Sequence, residues 1–176
     1  LEDVNVPSFS ELMESAQRSA VFLQMRDFYN VRSEADDFAT WQRTGQRELD
    51  PGSEYWEPWV EVVSQAVARG VAIRRARIVS EPVSDSIRYM HAGAVVNINA
   101  GEQVRWLPRR RASDIALPGN DFWLFDDHLI RWNHFAGDGD VTVHEESNEP
   151  AIAKLCADAF EAVWARAIPH DQYEID

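Results

Sequence analysis

The sequence predicts an α/β fold with a single mixed β-sheet, flanking helices, a central parallel β-α-β unit, then a β-hairpin and a C-terminal helix. Three observations carry this. Residues 71–107 read as strand, helix, strand. Residues 121–135 set two runs rich in Phe, Trp, Leu and Ile around a short Asp/His turn, the pattern of a tight hairpin inside a sheet. Ile152, Leu155, Cys156, Ala159, Phe160, Val163 and Ala167 form an unbroken apolar stripe at helical spacing. With 176 residues, 45% of them hydrophobic, the chain is expected to form one domain, 1–176, around one core.

Taken in order, Ser8 and Glu11 have the spacing of a capping box. The apolar positions Phe9, Leu12, Met13 and Ala16 continue it as a short helix. Ala20–Met25 is apolar enough for a buried first strand. Ser33 is positioned to cap a second helix through Phe38 and Trp41, ending near Gly45, and 46–52 is polar loop. Pro58 suits the first turn of a helix that carries Trp59, Val62, Val63, Ala66 and Val67 and stops at Gly70.

Val71–Val79 is rich in β-branched residues and carries Arg74, Arg75 and Arg77, which must leave a strand on both faces. Ser84 caps a helix that Gly101 stops, with Gly93 as a weak point in its middle. Gln103–Leu107 is the next strand, parallel to the one before the helix because a right-handed crossover joins them. The Pro108–Arg111 corner then lies at the end of a parallel sheet where ligands collect. Residues 136–139 read as a turn and Val141–His144 as a last strand. Ser147 or Asn148 caps the final helix, Pro169 ends it, and a loosely held tail follows to Asp176.

The net charge of −13 argues against direct binding of nucleic acid or anionic membrane. The charge is uneven: residues 71–111 hold eight Arg against three acids, a basic island in an acidic chain. Those Arg either converge on an acidic ligand or pair with the acidic flanks of the same chain. The candidate ligand-binding residues are Arg74, Arg77, Arg105, Trp106, Arg109, Arg111, Trp132 and His134, joining guanidinium groups to aromatic faces. No apolar run reaches a membrane-spanning length and no leader pattern opens the chain, so a cytoplasmic protein is expected.

No complete catalytic set is legible. Glycine-rich phosphate loops, zinc spacings and a nucleophile elbow are all missing, and residues 136–140 lack the terminal Glu of a calcium loop. The single cysteine, Cys156, lies on an apolar helix stripe and reads as packing. Neither a metal nor a cofactor is expected. The hairpin acids and imidazoles, Asp126, Asp127, His128 and His134, form the alternative site, that of a hydrolase or phosphodiesterase.

The segments 23–27, 74–82, 100–109, 117–127 and 160–165 resemble those of a family of uncharacterised actinobacterial proteins, over roughly residues 9–173. The resemblance implies a regulatory role beside helix-turn-helix transcriptional regulators, near which such proteins are encoded. Residues 122–127, Phe-Trp-Leu-Phe-Asp-Asp, are also similar to a strand of one half of the phospholipase D fold. There the strand follows a catalytic His-x-Lys pair, whereas Pro118, Gly119, Asn120 and Asp121 stand here. The reading that follows is a non-enzymatic regulatory or binding protein holding a small acidic ligand or a protein partner. Hydrolase and toxin–antitoxin component are the alternatives.

Overall fold

A computed structural model describes residues 7–175. Its helices are α1 (Phe9–Ser15), α2 (Ala35–Thr44), α3 (Glu57–Ala68), α4 (Asp85–Ala100) and α5 (Pro150–Arg166). Its strands are β1 (Ser19–Gln24), β2 (Ala72–Val79), β3 (Gln103–Pro108), β4 (Asp121–Phe125), β5 (Leu129–Phe135), β6 (Val141–Ser147) and β7 (Ile168–Pro169). The strands form one seven-stranded sheet in the order β6-β5-β4-β1-β2-β3-β7. β1, β2 and β3 run parallel, and the remaining pairings are antiparallel. The mixed sheet, the central parallel unit, the hairpin and the C-terminal helix are as the sequence predicts.

Strand alternation divides the apolar residues between two layers. Leu23, Ile78, Phe122 and Leu124 face α5, where Phe160 and Val163 meet them. Phe22, Ile73 and Trp123 face the other way, against Leu12, Met13 and Val63 of α1 and α3. Farther along that second face, Val79, Val104 and Trp106 pack on Ile87 and Ala94 of α4. The sheet is therefore buried on both sides through its centre, and a charge on a central strand must lie inside the protein.

Four local expectations are corrected. Ser33 does not cap α2; it lies in a 3-10 turn, 32–34, whose tightness delivers the chain to Ala35 without a side-chain cap. β6 runs on to Ser147, because Ile130 and Arg131 of β5 supply partners as far as Ser147 and Glu146. Neither Ser147 nor Asn148 caps α5; Glu149 holds that position and makes no side-chain capping bond. The tail is not loose through Tyr173. Ile168 and Pro169 pair with β3, Trp106 Nε1 donates to His170 Nδ1 at 3.1 Å, and Tyr173 is buried against Trp106. Asp176 lies outside the described residues.

Candidate functional site

The sheet face that α1, α3 and α4 cover is polar toward the carboxyl ends of its parallel strands. Gln24 on β1, Arg75 and Arg77 on β2, and Asp121 and Asn133 on β4 and β5 are all buried. Arg75 and Arg77 share strand parity with the inward-facing Ile73 and Val79, so alternation puts them on this face and Arg74 on the other. Between them and the helices lies a cleft of about 550 Å³. Gln24, Arg75, Arg77 and Asn133 line its floor, Asn97 of α4 faces it from the helix side, and Tyr29, Glu34, Arg47 and Tyr55 reach it from the segment between β1 and α3.

The two floor arginines differ in their partners. Arg75 Nε donates to Glu102 Oε2 at 2.8 Å and Nη2 to Glu102 Oε1 at 3.3 Å, while Nη1 reaches Gln24 Oε1 at 3.2 Å. Trp59 Nε1 and Asn97 Nδ2 complete the carboxylate's shell at 2.9 and 3.0 Å. Glu102 is fully satisfied and Arg75 neutralised, which a buried ion pair needs.

Arg77 has no such partner. It is only 7% exposed, and among the described residues it forms no ion pair. Nη1 points at the Met90 thioether at 2.9 Å, a weak acceptor, and the guanidinium lies over the Trp106 ring at 5.4 Å. Its Nε is buried with no hydrogen-bond acceptor. Burial, with the neighbouring Arg75 charge, pulls its pKa down to about 9, so at neutral pH it remains a cation. A cation held dry without a counter-charge is costly, and it becomes favourable once an anion joins it.

The other titratable groups bear the mark of the same dry surroundings. Burial raises the Glu34 carboxyl, against the pull of Arg47 and Arg77, and Tyr55 OH donates to Glu34 Oε1. Burial also raises Asp121, which accepts from Tyr29 OH at 2.6 Å and from Met25 N at 2.8 Å. Tyr29 is raised by burial and then by the Asp121 charge, so its proton stays on the phenol.

The residues singled out in the sequence are dispersed. Arg77 lines the cleft, with the buried Trp106 beneath it. Arg74 and Arg105 lie on the opposite face against Trp164, the first paired with Glu161 at 2.6 Å, the second donating to the Trp164 carbonyl at 3.1 Å. Arg109 binds together the ends of β1 and β2 through Met25 O, Ile78 O and Ser80 Oγ. Arg111 is exposed, Trp132 packs on Phe122, and His134 meets Glu145 at 3.2 Å. Strand parity is the signal that places Arg75 on the same face as Arg77. Nothing local marks Glu34, Tyr29 or Arg47, which reach the cleft through a long irregular connection.

The hairpin acids are engaged elsewhere. Asp126 Oδ1 accepts from Arg18 N at 2.7 Å and Ser19 N at 2.9 Å, and Oδ2 from Gln17 N at 2.9 Å. Asp126 and Asp127 take left-handed φ values, 50° and 60°, in the three-residue connection 126–128 that joins β4 to β5. Asp127 and His128 are exposed. Among the described residues no group of three His, Cys, Asp or Glu side chains is arranged to hold a metal ion. Nor is any helix among them long and apolar enough to cross a membrane.

The chain belongs to the family described as Domain of unknown function (DUF6879), which it matches over residues 7–175. No curated protein matches it. Its fold is similar to that of a phospholipase D family member, Nuc, from Salmonella typhimurium, with a TM-score of 0.50 at 13% identity over 91% of this chain and 86% of that one. It is also similar to NucT from Helicobacter pylori, with a TM-score of 0.52 at 9% identity over 91% and 87%. The expectation of a non-enzymatic regulatory protein is corrected here by the fold, which is shared with a phospholipase D family member, Nuc, and with NucT.

Proposed function

We propose that the chain is a hydrolase of phosphoesters and that its reaction takes place in the cleft over β1 and β2. The observation that carries this reading is Arg77, a buried guanidinium with an unpartnered Nε and no ion pair among the described residues, lining a cavity large enough for a small molecule. A phosphoryl group there supplies the missing counter-charge, and the dry site strengthens each charge-assisted bond to it. The scaffold is consistent with the reading.

In the reaction, water adds across the P–O bond, its hydroxyl going to phosphorus and a proton to the departing oxygen. Glu34 is suited to deliver that proton, because burial keeps its carboxyl protonated to higher pH than usual. The Tyr55 hydroxyl holds it in place. Asp126, Asp127 and His134, the residues of the alternative hydrolase reading of the sequence, have no part in this one. Asp126 is occupied with backbone N–H groups, and none of the three lines the cleft.

The test is a panel of phosphomonoesters and phosphodiesters, with and without divalent cations, run on the wild type, Arg77→Met and Glu34→Gln. Turnover by the wild type that both variants lose is the expected result. A wild type inert toward the whole panel would overturn the reading.

A further inference from the structure

We infer that the cleft takes a small organophosphate of single negative charge bearing an aromatic or comparable apolar group, and that nucleic acid is not its substrate. The inference rests on the hydrolase reading and names the substrate class for it.

Charge is the first argument. Three guanidinium groups reach the cleft, Arg47, Arg75 and Arg77. Glu102 neutralises Arg75 through two hydrogen bonds. Arg47 stands 3.9 Å from Asp37, its ion-pair partner. Arg77 alone lacks an ion pair among the described residues, so the site carries one positive charge for a ligand to meet. A second negative charge would be buried without a partner, and burial of that kind is strongly disfavoured.

The walls supply the second argument. Phe9, Trp59, Val62, Phe135 and Val141 line the cleft beside the polar floor. Phe9 and Trp59 are stacked at 5.0 Å and present one continuous apolar surface. A ligand with only a phosphate headgroup would leave this surface wet, whereas an aryl substituent covers it.

Size and long-range charge exclude a polymer. A volume of about 550 Å³ accepts one small molecule. Polyanion affinity comes from cations set against successive phosphates. Arg74, Arg105 and Arg109 are committed to Glu161, the Trp164 carbonyl, and Met25 O with Ser80 Oγ. Arg110 and Arg111 are exposed but do not line the cleft. The chain as a whole carries −13.

The experiment is calorimetric titration of the full chain with diphenyl phosphate, diethyl phosphate, phenyl phosphate, inorganic phosphate and a single-stranded oligonucleotide. It is run at about pH 8, where phenyl phosphate is a dianion. Diphenyl phosphate is expected to bind at least about tenfold more tightly than diethyl phosphate, which shares its charge but covers less apolar surface. It should also outbind phenyl phosphate and inorganic phosphate, and Arg77→Met should weaken it by about tenfold or more. Arg77→Lys, which keeps the charge, should retain the order of preference and serves if the Met variant fails to fold.

An oligonucleotide, phenyl phosphate or inorganic phosphate that binds as tightly as diphenyl phosphate would overturn the inference. Oligonucleotide hydrolysis that depends on Arg77 would overturn it while upholding the hydrolase reading. Diphenyl phosphate bound with the expected preference, alongside an inert substrate panel, would uphold the specificity and overturn the hydrolase reading. No binding by any probe would overturn both.

Discussion

The guanidinium of Arg47 occupies the space that a side chain at Gly93 would need. A Cβ built there would fall 2.1 Å from Arg47 Nη1 and 2.4 Å from its Cζ. The missing side chain lets Arg47 lie across α4, over the Tyr89 ring at 3.6 Å, and donate from Nη1 to the Tyr89 carbonyl. One glycine in mid-helix thus pins the segment between β1 and α3 over the cleft.

Gly93→Ala is expected to push Arg47 off α4 and cost about 1–2 kcal/mol of stability. In an Arg47→Ala background the obstacle is gone. There the same substitution should stabilise by up to about 1 kcal/mol, the helix-propensity gain of Ala over Gly. Chemical denaturation of the four proteins in a double-mutant cycle checks the change of sign.

Arg77→Met should make the protein more stable while removing turnover. Replacing an unpaired buried cation by an apolar side chain of similar length is expected to gain about 1 kcal/mol or more. A raised urea midpoint together with lost hydrolysis would mark Arg77 as a residue kept for function. A lowered midpoint would mean that the guanidinium is held favourably by its contacts with Met90 and Trp106.

Asp126→Asn keeps a side chain that tolerates the left-handed φ of 50° but removes the charge accepting three backbone N–H groups. A loss of about 1–2 kcal/mol is expected, with turnover per folded molecule unchanged. Burial by itself would raise this carboxyl, yet the three donors bring it below the usual 3.8. Its contribution is therefore complete above pH 3.8 and lost as pH falls toward its folded value. Thermal melts with a parallel rate measurement separate this structural role from a catalytic one.

Stability should also fall on mild acidification through the pair His91 and His170, whose rings lie 4.4 Å apart between α4 and the tail. Burial lowers both imidazoles below the usual 6.5. His91 adds its charge against His170, Arg77 opposes both, and among the described residues Asp171 and the Tyr173 carbonyl favour protonation. The unfolded chain thus binds protons first, so stability is full above pH 6.5 and declines as pH drops toward the folded values. Urea midpoints across this range should slope down toward acid, and His91→Gln should flatten the slope.

Pattern and chemistry along the chain determined the α/β class, the parallel β-α-β unit, the hairpin and the C-terminal helix. Apolar periodicity and turn residues act over a few neighbours, and these elements need nothing more. Strand alternation also groups Arg75 with Arg77 and sets Arg74 on the other face, although both faces are buried. Tertiary structure alone decided which charges met. Glu102 reaches Arg75 across 27 positions, Glu161 reaches Arg74 across 87, and Asp126 reaches Arg18 N across 108. Each of these pairings consumed a group that composition had left available for chemistry. Arg77 stayed uncompensated because the strand order 4-1-2-3 placed it between Tyr29 and Trp106, with no acid in ion-pair reach among the described residues. That order is settled by long-range packing, which local sequence does not encode.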